Sequence, residues 1–166
     1  MALILKSLPM RRALLLIVVA TLLAPPCDAA EHKTWNQIRY LGGTIPIKAS
    51  RYDWNTTISI STDAIVVEIA PATVFQTKKV VHIKVSQVLS ISANDAAWQH
   101  VAAVGGAMLP AKPPTLFGVL RDSDFLGLVY ETGDGKQGAM LLETSNSNVM
   151  ARVLSKLTGK PIENSP

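Results

Sequence analysis

Hydrophobic and polar positions along this chain follow three rhythms, and each predicts a different kind of element. Residues Ala13 to Ala24 (ALLLIVVATLLA) form an unbroken apolar block of twelve. Thr56 to Ser61 (TTISIS) instead alternates strictly, with Ile58 and Ile60 on one face, and Ala64 to Ile69 (AIVVEI) follows the turn at Thr62-Asp63. Period two with β-branched residues predicts a hairpin. Lys78 to Ala93 (KKVVHIKVSQVLSISA) predicts two more extended pieces, with Val81, Ile83 and Val85 on one face and His82 and Lys84 on the other. A kink is expected between them at Ser86-Gln87. Phe125 to Glu131 (FLGLVYE) and Gln137 to Glu143 (QGAMLLE) flank Thr132-Gly133-Asp134-Gly135-Lys136. An Asp-Gly pair in a short polar loop between apolar runs predicts another hairpin.

After Glu143 the rhythm turns helical: Val149, Met150, Val153, Leu154 and Leu157 recur on one stripe. Ser145 or Asn146 is expected to cap this helix, 146–158, and Lys156 and Lys160 suit its negative end. Gly159 offers a left-handed stop before Pro161. At the other end of the pattern, Tyr40-Leu41-Gly42-Gly43-Thr44-Ile45-Pro46 predicts a first strand with a bulge or bend at the glycines, kept near an edge by Pro46. The sum is a mainly β fold: six or seven antiparallel strands in a barrel or sandwich, closed by one C-terminal amphipathic helix.

Two successive groups of antiparallel strands followed by one such helix resembles a pleckstrin-homology-like (GRAM-like) barrel, as found in small secreted bacterial proteins. The residues that carry the resemblance are Tyr40 to Thr44, Ile58 to Val66, Val85 to Ile91 and Val149 to Gly159 before Lys160, and it spans roughly residues 38–160. It implies a binding or scaffolding fold. This chain lacks the dense Lys/Arg cluster on the early hairpin that lipid-binding members carry, so no ligand residue transfers.

The leading apolar block changes the picture of where the chain works. Lys6, Arg11 and Arg12 precede it, Pro25 and Pro26 end it, and Ala29 and Ala30 follow. A basic start, a short apolar middle and a small-residue exit describe a secretory signal peptide, 1–30, cleaved after Ala29 or Ala30. A membrane anchor would need about 20 apolar residues. A lipid anchor on Cys27 would need a leucine and a small residue where Ala24 and Pro26 stand. Twin-arginine export matches the residues around Arg11-Arg12 poorly. The expected destination is therefore the periplasm or the extracellular space, with a bacterial envelope favoured.

Cleavage would discard the chain's one cysteine, leaving a single domain, 31–166, without disulfide, thiolate or cysteine-bound metal. Three of the 16 basic and one of the 12 acidic residues leave with the leader, so the mature charge is 13 basic against 11 acidic residues, +2. That field is too weak for nucleic acid. The residual basic spots are Lys78-Lys79 with Lys84, and Lys156 with Lys160.

One stretch fits neither rhythm. Residues 96–120 hold Trp98, Val101, Val104, Met108, Leu109, Leu116, Phe117, Val119 and Leu120 with Lys112 as their one charge. Gly105-Gly106, Pro110, Pro113 and Pro114 limit any helix to about Asp95 to Val104. This apolar insertion is expected either to pack over one end of the barrel, burying Trp98 and Phe117, or to form an apolar tip for a membrane or a partner groove. The binding residues it would supply are Trp98, Met108, Leu109 and Phe117, assisted by Lys78 and Lys79.

Reactive chemistry has little to build on. His32, His82 and His100 stand apart from one another, and no cofactor is expected. Cleavage after Ala29 would place His32 third, where an amino-terminal square-planar copper or nickel site could form; a frayed terminus is the plainer expectation. No Gly-x-Ser-x-Gly elbow occurs. Asp122 and Asp124 lack the remaining ligands of a calcium loop. The sequence therefore predicts an exported, non-catalytic binding or interaction module of the cell envelope, whose partner is an unknown protein or a membrane surface touched peripherally. A purely structural accessory protein, or an enzyme whose site assembles from distant strands, are the alternatives.

Overall fold

A computed structural model describes residues 32–47, 54–70, 77–110 and 125–163. The chain divides into two units, Met1–Ala30 and Glu31–Pro166, and every described residue belongs to the second. Its elements are β1 (Lys33–Gly43), β2 (Thr56–Ile60), β3 (Ala64–Ile69), β4 (Lys79–Lys84), β5 (Val88–Ala93), α1 (Asn94–Ala103), β6 (Phe125–Glu131), β7 (Gln137–Glu143), α2 (Ser147–Thr158) and β8 (Ile162–Glu163). The fold is mainly β with a C-terminal helix, as the rhythms predict. The strand count is eight, because two residues after α2 return to form β8.

Strand order is β4-β3-β2-β1-β7-β6-β5-β8, antiparallel throughout except for the parallel β5–β8 pair. β1 belongs to both halves. Its first part pairs with β2, from Lys33 opposite Ile60 to Ile38 opposite Thr56, and its last part pairs with β7, from Arg39 opposite Glu143 to Gly43 opposite Met140. A straight strand cannot serve two differently directed partners, so β1 bends twice. One irregularity lies between Trp35 and Ile38, where Gln37 adopts φ 57°, and the other lies between Tyr40 and Gly42.

The expected bend at the double glycine is therefore present, but the expected edge position is not. β1 stands in the middle of the order, and Pro46 falls beyond its end, where it costs no ladder bond. The glycines answer a different demand. Gly43 exchanges two backbone hydrogen bonds with Met108, at 3.0 and 2.9 Å, and a Cβ on Gly42 would stand 2.2 Å from the Met108 carbonyl oxygen.

Between the two halves lies the larger core. Alternate residues of β2, β3 and β4 (Ile58, Ile60, Ile65, Val67, Ile69, Ile83) pack with Ile91, Leu126, Leu128, Met140 and Leu142 of the second group. Met150, Ala151 and Leu154 of α2 close this core with Val153 and Leu157 packed against it, which explains the helical stripe except at Val149, which stands half exposed. Burying each such large side chain is worth roughly 1.5–3 kcal/mol. Gly159 ends α2 at φ 69°, as expected. The cap differs from expectation: Asn146 holds the N-cap position without a side-chain bond, and the Thr144 hydroxyl accepts the Asn146 N–H at 3.3 Å instead.

A second core lies outside the sheet. α1 lays Ala97, Trp98, Val101 and Val104 over Leu41, Phe125, Val129, Ala139 and Leu141. β6 and β7 are thus covered on both faces, which is why FLGLVYE and QGAMLLE show apolar runs in place of alternation. Gly127 lets the helix come down to contact, since a Cβ there would lie 2.9 Å from the Ala97 Cα.

The close approach at Gly42 makes a stability prediction. Gly42→Ala is expected to cost about 2 kcal/mol, through a backbone clash at φ +155°. In a domain of this size that lowers the thermal midpoint by roughly 5–10 °C in circular dichroism. Gly133→Ala, with nothing within 4 Å of its new Cβ, should leave the midpoint unchanged.

Candidate functional site

The apolar insertion divides into a buried part and a presented part. Trp98 projects from α1 into the outer core at 9% exposure and meets Phe125 edge to face, with ring centroids 5.6 Å apart. α1 thus carries its aromatic residue inward, as the packing reading of the insertion anticipates. Leu109 is half-buried and packs on the same cluster. Met108 between them is the exception, with 66% of its surface exposed. Its backbone is bonded to Gly43 in both directions, so the side chain stands on a fixed platform. Phe117 lies outside the described residues, as do Leu116, Lys112, Asp122 and Asp124.

Lys78 and Lys79 are not gathered at this point. Lys78 pairs with Glu68 on the outer face of β3, and Lys79 opens β4. Strands β2 and β3 stand between β4 and β1 in the sheet order, and the bridge to Met108 belongs to the end of β1. The structure therefore presents two separate surfaces, one apolar and one basic.

Two polar clusters escape sequence reading. Arg39 pairs with Glu143 across the β1–β7 register and lies over the Trp54 ring, 5.2 Å from its centroid. Trp54 remains half exposed. The stacking fixes the approach to β2 through a cation–π contact. His100, near the end of α1, meets Glu163 of β8 at 2.6 Å and ties the C-terminal segment to the helix. His32 lies 3.4 Å from the Thr34 hydroxyl. Among the described residues no three His, Cys, Asp or Glu side chains stand close enough to hold a metal ion.

The buried titratable groups are tyrosines. Tyr40 and Tyr130 both lie in the main core. Burial raises the Tyr40 hydroxyl well above its usual range; a Tyr130 charge would raise it further, and a 3.2 Å bond donated to the Ile45 carbonyl partly offsets this. Burial likewise raises Tyr130, against a bond with Thr44. Gly138 makes room for that ring, since a Cβ there would lie 2.5 Å from it. In the β6–β7 turn, Asp134 is held down to about 2, first by the Thr132 hydroxyl and then by Lys136. These groups shape the fold and converge on no reacting centre.

No family model and no curated protein matches the chain. Among solved structures, the hSac2 domain from the human phosphoinositide phosphatase Sac2 is similar, at 13% identity and a TM-score of 0.48, over 96% of this chain and 92% of that one. That finding overturns the expectation of a chain that is not an enzyme. The domain belongs to a phosphatase, and at this identity and score it assigns no activity to this chain either.

The raised hydroxyls of Tyr40 and Tyr130 predict a loss of stability at alkaline pH. A hydroxyl whose folded pKa exceeds its unfolded value stabilises fully below about pH 10 and loses that contribution as the pH rises beyond it. Tyrosinate absorbance at 295 nm should therefore show Tyr40 and Tyr130 ionising late, together with unfolding. Tyr40→Phe should soften that alkaline transition while costing about 0.5–1.5 kcal/mol at neutral pH for the lost bond to Ile45.

Proposed function

We propose that this protein is an exported binding module of the cell envelope that meets a protein partner through the surface at Met108. The observation that carries the reading is one exposed thioether on a backbone clamped to Gly43, beside the half-buried Leu109. The leader from Lys6 to Ala30 supports export. The strand order with its closing helix α2 supports reading the domain as pleckstrin-homology-like, an architecture suited to presenting surfaces.

Energy favours a protein over a lipid surface. Fully burying one such side chain is worth roughly 1.5–3 kcal/mol. The described part of the insertion offers Met108 as its one largely exposed large apolar residue, since Trp98 is buried and Leu109 half-buried. A single insertion of that size holds a membrane only transiently. In a preformed protein groove the same side chain adds to further contacts, and the flexible thioether adapts to the shape it meets.

The test replaces Met108 by a photo-crosslinking amino acid in cells and compares it with the same probe at Gly133. A discrete cross-linked protein adduct at position 108 and none at 133 is the expected result. Met108→Asp should weaken binding to the identified partner at least tenfold with the fold intact by circular dichroism. Cross-linking to lipid alone, or co-sedimentation with liposomes that Met108→Asp abolishes, would replace the protein partner by a membrane.

A further inference from the structure

The two outer strands of the sheet are treated differently by the fold. The edge of β5 receives β8, with Ile91 opposite Ile162 and Ser92 opposite Glu163. The edge of β4 receives no described strand. Its hydrogen-bonding pattern can be worked out from two contacts. The Val85 N–H donates to the Asp63 carbonyl at 3.0 Å, so Val85, Ile83 and Val81 turn their backbone groups toward β3. Val80, His82 and Lys84 must turn theirs away, because alternate residues of an antiparallel strand bond to opposite sides. Lys84 agrees: its N–H is taken by the Gln87 side chain at 2.9 Å. Among the described residues, what stays open is a short stretch of backbone at Val80 and His82, with both side chains exposed on the outer face of the sheet.

We propose that this edge of β4 accepts an extended segment of a partner protein as an added antiparallel strand, with acidic side chains at both ends of the paired stretch. The proposal takes from the reading above only that the chain works by binding, and it adds a surface separate from Met108. Charge selects the occupant. A second copy of β4 placed with Val80 opposite His82 would set Lys78 opposite Lys84, twice, and like charges directly opposite each other oppose pairing. Lysines at a strand edge are a common guard against such self-association. The same two lysines, six residues apart on one face, favour a strand whose acidic residues share that spacing, and the pairing of Lys78 with Glu68 makes Lys84 the stronger selector. The backbone supplies the hydrogen bonds, and the lysines supply register and choice.

The test uses the purified protein and an acetylated, amidated seven-residue peptide of alternating threonine and valine with glutamate at both ends. Its addition should shift the Val80 and His82 amide resonances and slow their hydrogen exchange. The same peptide with lysine ends should bind at least tenfold more weakly. Val80→Pro removes an outward N–H and no bond to β3, so the thermal midpoint should hold while peptide binding is lost. Lys84→Glu should narrow or reverse the preference between the two peptides, whatever the stability of the proline variant. No amide shift at millimolar peptide overturns the proposal, as does equal affinity for both peptides or self-association through β4. Shifts confined to the neighbourhood of Met108 would also overturn it, while leaving the proposed function standing.

Discussion

The double duty of β1 is the constraint from which the rest of the structure follows. A strand that pairs with β2 along its first part and with β7 along its last must change direction without leaving its ladder. The two irregularities, at Gln37 and at Leu41-Gly42, provide that change, and they let one continuous strand turn a single sheet order into two packed groups. Had β1 run straight, Ile58 and Ile65 could not lie in one core with Leu126 and Met140. The glycine pair serves twice: it bends the strand, and it admits the Met108 backbone at hydrogen-bond distance.

Covering follows from the bend. The concave side of both groups is filled by isoleucine, leucine and methionine, with α2 lowered onto the opening. The convex side of the second group would be an apolar liability if left to water. α1 removes it, with alanine and valine at the contact and Trp98 against Phe125 at the margin. The convex side of the first group needs no such cover, because alternation places Thr34, Thr57 and Ser59 there. Their side chains bond to one another and to Asn36, as in the 3.2 Å contact between the Thr34 and Ser59 hydroxyls.

What was legible in the sequence is what local chemistry decides. Thr56 to Ile69 folds as the hairpin its alternation predicts, Phe125 to Glu143 as the hairpin its Asp-Gly turn predicts, and the stripe from Met150 to Leu157 becomes α2 with Gly159 as its left-handed stop. The break at Ser86-Gln87 is a single 3-10 turn, Val85–Gln87. The central place of β1 was not legible, because Pro46 marks where a strand cannot continue and says nothing about how many neighbours the strand has before it. The Arg39–Glu143 pair was not legible either: 104 residues separate the partners, and only the β1–β7 register brings them together. As for the candidate site, composition located the insertion, yet it could not divide Trp98 from Met108. That division depends on which side of α1 faces the sheet and on the bridge to Gly43, and neither has a local signal.

The arrangement also decides which described surfaces are covered and which are exposed. Tyr40, Tyr130 and most of the described large aliphatic residues are committed to the two cores, the β5 edge to β8, and the outer face of the second group to α1. Each commitment removes a surface from contact with water. Among the described residues, two of the outward features differ sharply in character: the thioether of Met108 beside Gly43, and a lysine-flanked strip of strand backbone on β4. These two surfaces of unlike chemistry are held apart by β2 and β3. The bridge from Gly43 to Met108 and the ladders from β1 through β2 and β3 to β4 are the bonded path that sets their separation.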